Sequence, residues 1–369
     1  MKKLVVFLLL LNAGECIAQD PAFSQFFSNQ LYLNPAFAGI RHDTRMGSNY
    51  RTQWNGIPGK FKTYNAWADI YNPFLNGGFG LIALQDVEGE GALQTSSFGF
   101  IQSFEVLIPK ILRLRAGYNV TVTNKKIDWY KLVFSDQLDG LQGQIYSTAV
   151  MPGNSQGTTF ADFSAGAMVD LPEFKKIPDV NITSTMGATL SHLTEPNDAL
   201  SGSDFGTLPR KFSFHLTTTI QFLNYVKDNK PFYISPNFIF ERQQPRFKNT
   251  NEKQAEFQTT NVGFYVMRSP MMSGVFYRNT RYCSGFKDQD SFILFLGFTQ
   301  PYKKTKIFRM GYSYDFTINH LATNTMGSHE LSVSMEFTNK KLLAKKLRLR
   351  KRKKREIECT DFGERSFVF

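Results

Sequence analysis

From residue 44 to residue 338 the chain alternates apolar and polar side chains with a period of two, the spacing that sorts the two faces of a β-strand. Leu112, Leu114, Ala116, Tyr118, Val120 and Val122 fall on one face, with Arg113, Arg115, Gly117, Asn119 and Thr121 on the other. The pattern returns in Phe308, Met310, Tyr312, Tyr314 and Phe316 against Arg309, Gly311, Ser313 and Asp315. It returns again in Leu331, Val333, Met335 and Phe337 against Ser332, Ser334 and Glu336. Clusters of Gly, Pro, Asn and Asp divide it into fourteen predicted strands: 44–54, 61–71, 77–88, 91–106, 110–124, 158–170, 181–193, 212–224, 231–242, 256–268, 271–281, 291–299, 306–317 and 328–338.

An apolar face repeated on strand after strand needs an apolar surround. Beyond the N-terminal segment no stretch approaches the roughly 18–20 continuous apolar residues of a spanning helix. The chain is nevertheless 15% aromatic, with 36 Phe and 15 Tyr. Together these features predict an all-β fold, a transmembrane antiparallel β-barrel of about 14 strands. The competing architecture, a secreted β-sandwich or propeller, would use shorter strands and less Phe. The charged face then belongs to a hydrated lumen, because a charge facing lipid at mid-membrane costs about 2–4 kcal/mol.

The connections fit such a barrel. With the N-terminus starting in the periplasm, the outward loops are 55–60, 87–90, 125–157, 194–211, 243–255, 282–290 and 318–327. The inward turns are 72–76, 107–109, 171–180, 225–230, 269–270 and 300–305, so most long connections share one side, as outer-membrane barrels require. Loop 125–157 is the largest, and its Trp129 and Tyr130 are candidate outer-loop contacts; the alternative is a poorly ordered loop with no dedicated partner.

The two ends carry different chemistry. Residues 1–18 read as a secretory signal peptide: Lys2 and Lys3, an apolar run from Leu4 to Leu11, and a small-residue exit at Ala18 with cleavage before Gln19. Residues 19–43 form a periplasmic leader or plug, residues 44–338 the barrel, and residues 339–369 a basic periplasmic tail. Eleven of the sixteen residues 340–355 are Lys or Arg, so nearly all of the formal +12 resides in that tail. Lys345, Lys346, Arg348, Arg350, Lys351, Arg352, Lys353, Lys354 and Arg355 are candidate contacts to periplasmic anions or a partner, with a solvated tail as the alternative. After export the tail meets no nucleic acid; lipid headgroups or an acidic protein face are the expected anions, at roughly 1 kcal/mol per basic residue near an anionic membrane. The mature chain keeps Cys283 and Cys359, expected on opposite sides of the membrane and unable to pair.

No catalytic frame is present. His42, His192, His215, His320 and His329 stand in no GxSxG or HExxH arrangement, and His329 and Glu330 fall on opposite strand faces. We expect no enzyme activity, cofactor or metal.

Two terminal blocks carry a family resemblance. DPAFSQFFSNQLYLNPAFAG (Asp20–Gly39) precedes Tyr50-Arg51-Thr52-Gln53-Trp54; FRMGYSYDF (Phe308–Phe316) precedes GSHELSVSMEF (Gly327–Phe337), with ADFSAGAMVDL (Ala161–Leu171) between. The chain resembles the PorP/SprF family of outer-membrane proteins found with the type IX secretion system of Bacteroidota. That resemblance implies a non-enzymatic barrel that assists export, surface attachment or localisation of a partner cargo, including large gliding adhesins. It also implies contacts with periplasmic or outer-membrane secretion components. A porin-like or hydrophobic-solute transporter is the alternative, favoured by the Phe-rich wall.

Within the matching blocks, Asn34, Pro35, Gly39, Arg51, Trp54, Gly311, Tyr312, Tyr314, Asp315, His329 and Glu330 are the motif residues. Asn34-Pro35 is a turn dipeptide, with Pro fixing φ and Asn bonding its own backbone, and it should bend the leader into or beneath the barrel mouth. The leader then acts as a plug, a contact arm, or a strap sealing the floor, the last being the reading we favour from sequence. Arg51 and Trp54 fall near the outer end of the first strand, where Trp suits an interfacial girdle. Asp315 faces the same way as Arg309 and is expected to pair with a luminal Arg such as Arg113 or Arg115.

Overall fold

The computed structural model describes residues 20–56, 59–89, 92–108, 112–139, 141–148, 157–174, 177–200, 207–223, 232–243, 257–281, 289–302, 306–318 and 326–337. Fourteen antiparallel strands close into one barrel. They are β1 (Thr44–Gln53), β2 (Phe61–Asn72), β3 (Gly77–Glu88), β4 (Leu93–Ile108), β5 (Leu112–Ile127), β6 (Gly157–Asp170), β7 (Val180–Ser191), β8 (Lys211–Phe222), β9 (Phe232–Gln243), β10 (Phe257–Arg268), β11 (Met271–Arg281), β12 (Gln289–Tyr302), β13 (Lys306–Thr317) and β14 (Ser328–Phe337). Each strand pairs with its sequence neighbours, and β14 returns to β1 with Phe337 opposite Thr44 and Ser328 opposite Gln53.

The barrel is inside-out relative to a soluble protein. Phe98, Phe100, Val122, Leu296, Met310, Tyr312 and Phe316 are exposed on its outer wall. Arg45, Arg51, Asp69, Arg115, Arg278, Asp315, Glu330 and Glu336 are buried inside. This is the arrangement a hydrocarbon surround selects, since closure gives each strand a hydrogen-bonded neighbour on both sides and the charges face away from lipid. No helix among the described residues is long and apolar enough to cross a membrane.

The strand ends Gln53, Phe61, Glu88, Leu93, Ile127, Gly157, Ser191, Lys211, Gln243, Phe257, Arg281, Gln289, Thr317 and Ser328 mark one rim, called here the long-connection rim because the longer sequence intervals separate them. The strand ends Thr44, Asn72, Gly77, Ile108, Leu112, Asp170, Val180, Phe222, Phe232, Arg268, Met271, Tyr302, Lys306 and Phe337 mark the other, the short-turn rim. β5 runs to Ile127, so the largest connection starts later than its sequence suggests. Residues 128–139 and 141–148 of that connection are described. It carries 3₁₀ turns at Trp129–Lys131 and Ser135–Gln137 and a small hairpin pairing Leu138 with Gln144. Residues 1–19, Cys283, His320, Cys359 and the basic stretch 340–355 lie outside the described residues.

Candidate functional site

The lumen is occupied by the chain's own leader. Its local shape follows from Asn34-Pro35: the Asn34 side chain accepts a hydrogen bond from the Ala36 N–H at 2.9 Å and caps the 3₁₀ turn Pro35–Phe37, with Pro at the first position. A short helical turn, α1 (Gln30–Leu33), leads into it. The Asn34 amide donates to the Ala167 and Ala188 carbonyls, both at 3.2 Å, fixing the bend against β6 and β7. Wall glycines make room for it. A Cβ on Gly117 would lie 2.7 Å from the Pro35 carbonyl carbon, and one on Gly166 would collide with the Asn34 side chain. Gly39, at φ +70°, lies against Gly78 in a left-handed conformation that favours glycine.

Three polar clusters tie the leader to the wall at different heights. Near the short-turn rim the Asp69 carboxylate accepts from Arg45 Nε at 2.9 Å, Arg45 Nη2 at 3.0 Å and the Gly39 N–H at 2.6 Å. Arg45 also donates to Gln30 Oε1 at 2.8 Å. Farther up, Ser24 bridges two buried carboxylates: its N–H donates to Glu330 at 2.6 Å and its hydroxyl to Asp315 at 2.6 Å. Arg51 and Arg278 hold Asp315 at 2.9 and 3.2 Å, and Arg278 also donates to the Phe23 carbonyl at 2.9 Å. Arg51 additionally donates to the Ser24 hydroxyl. At the long-connection rim Asp20 meets His192 Nε2 at 3.0 Å and Lys211 Nζ at 2.9 Å, while Asp162 takes His192 Nδ1 at 2.9 Å.

The charges around His192 decide its state. Burial opposes the imidazolium, but the Asp20 and Asp162 carboxylates overcome that penalty and raise its pKa from 6.5 to about 9. Burial likewise opposes the Asp20 carboxylate, and Lys211 with His192 reverses the effect and holds it far below the usual carboxylate range.

Between the polar clusters the leader is seated by aromatic contacts. Phe27 meets the rings of Tyr265 and Phe295 edge-on, with centroids 4.6 and 4.7 Å away, and Phe26 meets Phe276 at 5.1 Å. Leu31, Ala36, Phe37 and Ala38 pack with Trp67, Ile82, Ile101 and Met168 in a second apolar cluster.

Several sequence expectations change here. Asp315 does pair with luminal arginines, but these are Arg51 and Arg278; the suggested Arg113 and Arg115 instead meet Glu105 at 3.4 and 3.0 Å. All these side chains face the lumen, but Asp315 on β13 and the arginines of β5 belong to separate stretches of wall. The leader is not a strap confined to one mouth; its contacts run from the long-connection rim at Asp20 to the short-turn rim at Gly39.

Of the motif residues, Asn34, Pro35, Gly39, Arg51, Asp315 and Glu330 converge on the leader. Gly311 lies inside as well, where a Cβ would meet Gln25 Oε1 at 2.8 Å. Tyr312, Tyr314 and His329 lie on the outer wall, with the Tyr312 hydroxyl 2.8 Å from His329 Nδ1. Trp54 packs edge-on against Phe61, centroids 5.1 Å apart. In the largest connection Trp129 stacks on Phe134 while Tyr130 is exposed. The sequence reading missed Arg278, Asp69, His192 and Lys211. Their only signal was a charge at an inward position of a strand or its rim, which does not say what it meets.

Matched against known families, residues 15–335 fit the Type IX secretion system membrane protein PorP/SprF. The chain belongs to that family. As a type IX secretion membrane protein built as a closed β-barrel, this PorP/SprF chain is an outer-membrane protein. No curated protein matches it in sequence. Solved structures similar to it include the CymD monoaromatic hydrocarbon channel, at 9% identity over 85% of this chain and 93% of that one, TM-score 0.43. A Pseudomonas aeruginosa FadL homologue has 13% identity over 83% and 92%, TM-score 0.39. The Pseudomonas putida toluene transporter TodX has 8% identity over 87% and 95%, TM-score 0.38. At these values the similarity carries no argument about what the present barrel binds.

Proposed function

We propose that this PorP/SprF barrel is a non-enzymatic docking component that assists export, surface attachment or localisation of a type IX cargo such as a large gliding adhesin. The observation that carries the reading is the filled lumen: leader residues from Asp20 to Gly39 are bonded to the wall at three heights. A barrel sealed by its own chain is better suited to presenting its rims than to passing solute. The long-connection rim offers exposed Tyr130, Leu141 and Tyr146 to an exported partner. The short-turn rim, the leader's exit and the basic tail beyond β14 are suited to periplasmic secretion components and outer-membrane lipid. Signal-peptide cleavage before Gln19 would leave Asp20 next to the new N-terminus, so that the leader needs no further chain threaded through the barrel. Deleting the protein should remove one particular large protein from the cell surface while outer-membrane integrity is kept. An unchanged surface proteome would overturn the reading.

A small cavity of about 60 Å³, lined by Phe27, Trp67, Met272 and Phe295 with Arg41 and Arg309, supports a second reading as a transporter of hydrophobic solutes. Uptake of such a solute into liposomes holding the purified barrel decides between the two.

A further inference from the structure

The cavity between leader and wall has a charged end and an apolar end. Arg41 of the leader and Arg45 and Arg309 of the wall line it, and no carboxylate is among its lining residues. Arg309 lies opposite Thr299, close to the rim pair Tyr302 and Lys306, so the charged end faces the short-turn rim. Deeper in the barrel the rings of Trp67 and Phe295 form the apolar end. Wall glycines receive those rings: a Cβ on Gly47 would lie 2.7 Å from the Trp67 ring, and one on Gly297 or Gly311 would lie 2.7 Å from the Phe295 ring. With the rings set against bare backbone, about 60 Å³ stays open, several times the roughly 10–15 Å³ that one water needs on the same measure.

The charged end is short of acceptors. Arg45 is engaged by Asp69 at 2.9 and 3.0 Å and by Gln30 at 2.8 Å. Arg309 gives Nη2 to Glu336 at 2.8 Å. Arg41, half-buried, makes no hydrogen bond or ion pair among the described residues. Burial opposes its charge, Glu336 and Asp43 support it, and Arg309 and Arg45 oppose it; the net effect lowers its pKa. The guanidinium is thus left short of counter-charge. The hydroxyls of Thr299 and Ser334 line the same end and add donors. In the wall beside them the buried Trp67 Nε1–H meets no acceptor among the described residues.

We propose that this cavity binds a small organic carboxylate with an apolar body, its carboxylate on Arg41 and Arg309 and its body against Trp67 and Phe295. The planar guanidinium presents its N–H groups in a fork that matches a carboxylate, and the bonds are charge-assisted. Other ligand classes satisfy only one end. A neutral hydrocarbon leaves Arg41 without a counter-charge, and a bare inorganic anion leaves the aromatic end unfilled. Since Arg41 belongs to the leader and Arg309 to β13, the bound carboxylate also ties the leader to the wall. The site needs neither cargo docking nor passage of the solute through the barrel, so it stands apart from both readings above.

The test titrates the full-length barrel in mild detergent with phenylacetate, phenethyl alcohol and inorganic phosphate. Trp54→Phe with Trp129→Phe leaves Trp67 as the remaining tryptophan, so its fluorescence reports occupancy. Phenylacetate should bind saturably and at least about tenfold more tightly than either of the other probes, the weight of one charge-assisted hydrogen bond. Arg41→Gln should weaken phenylacetate by at least about tenfold with heat-modifiable migration unchanged, whereas Arg210→Gln, the same loss of charge at an exposed position, should not. Equal affinity for phenethyl alcohol would reveal a merely apolar pocket, and equal affinity for phosphate a plain anion site. Either result, no saturable binding of phenylacetate, or undiminished binding by well-folded Arg41→Gln would overturn the proposal. The comparison of the three probes needs no substitution at the arginines, so it decides even where Arg41→Gln does not fold. Failure of solute uptake into liposomes bears on passage alone.

Discussion

Asp20 is the residue on which the upper end of the leader depends, because it meets His192 and Lys211 together at 3.0 and 2.9 Å. The pH dependence of that attachment follows from the two shifted groups. His192 has its pKa raised from 6.5 to about 9, so its stabilising contribution is complete below about pH 6.5 and disappears as pH rises through 9. Asp20 is shifted the other way, so its contribution is complete above the ordinary carboxylate range and declines progressively as pH falls below it. The attachment should therefore be strongest in mild acid and loosen as pH rises from about 6.5 toward 9. Chymotrypsin cleavage after Phe23, scaled to a free leader peptide, should stay low up to about pH 6.5 and climb toward pH 9. His192→Gln should flatten that climb, since the neutral amide has no proton to lose. A flat profile in the native chain would show that Lys211 alone holds Asp20.

At the scale of elements, the leader and the wall are fitted to each other where glycine leaves space. Gly117 is the clearest test, since its absent Cβ is replaced by the Pro35 backbone at 2.7 Å. Two rigid backbones meet there, so neither relaxes as a flexible side chain would. Gly117→Val should destabilise the seated leader by about 1–3 kcal/mol, the usual cost of overpacking. Urea titration of the folded barrel, followed by protection of the Ala36 amide, would measure it. The strands themselves were legible from sequence because each carries its own period-two signal; β13 reads 306–317 in both sequence and structure. The Asn34-Pro35 turn was legible for the same reason, its Asn–Ala36 bond being local. The pairing of Asp315 was not. Arg51 and Arg278 lie 264 and 37 positions away along the chain, and only barrel closure through β14 and β1 brings Arg51 to it. The depth of the leader was hidden similarly, because His192 and Lys211 give no sequence sign of facing Asp20.

For the whole molecule, strand number sets the problem that the leader solves. Barrels of about 8 strands are filled by wall side chains, whereas those of 16–18 leave an aqueous channel. Fourteen strands fall between these, and the leader's Phe26, Phe27, Leu31 and Phe37 occupy space that wall side chains leave open. Removing residues 20–39 should not unfold the wall. Arg51 and Arg278 would keep Asp315 at 2.9 and 3.2 Å, Arg45 would keep Asp69 at 2.9 Å, and water would replace the leader's donors. The leaderless barrel should thus remain heat-modifiable and outer-membrane located, while its conductance in planar bilayers rises several-fold over a nearly silent intact chain. Equal conductance in the two forms would mean that the leader leaves its seat readily in the membrane, or that the wall collapses on the vacated lumen. Trypsin resistance of the leaderless wall separates those outcomes, because a collapsed barrel exposes the Arg and Lys that the ion pairs now protect.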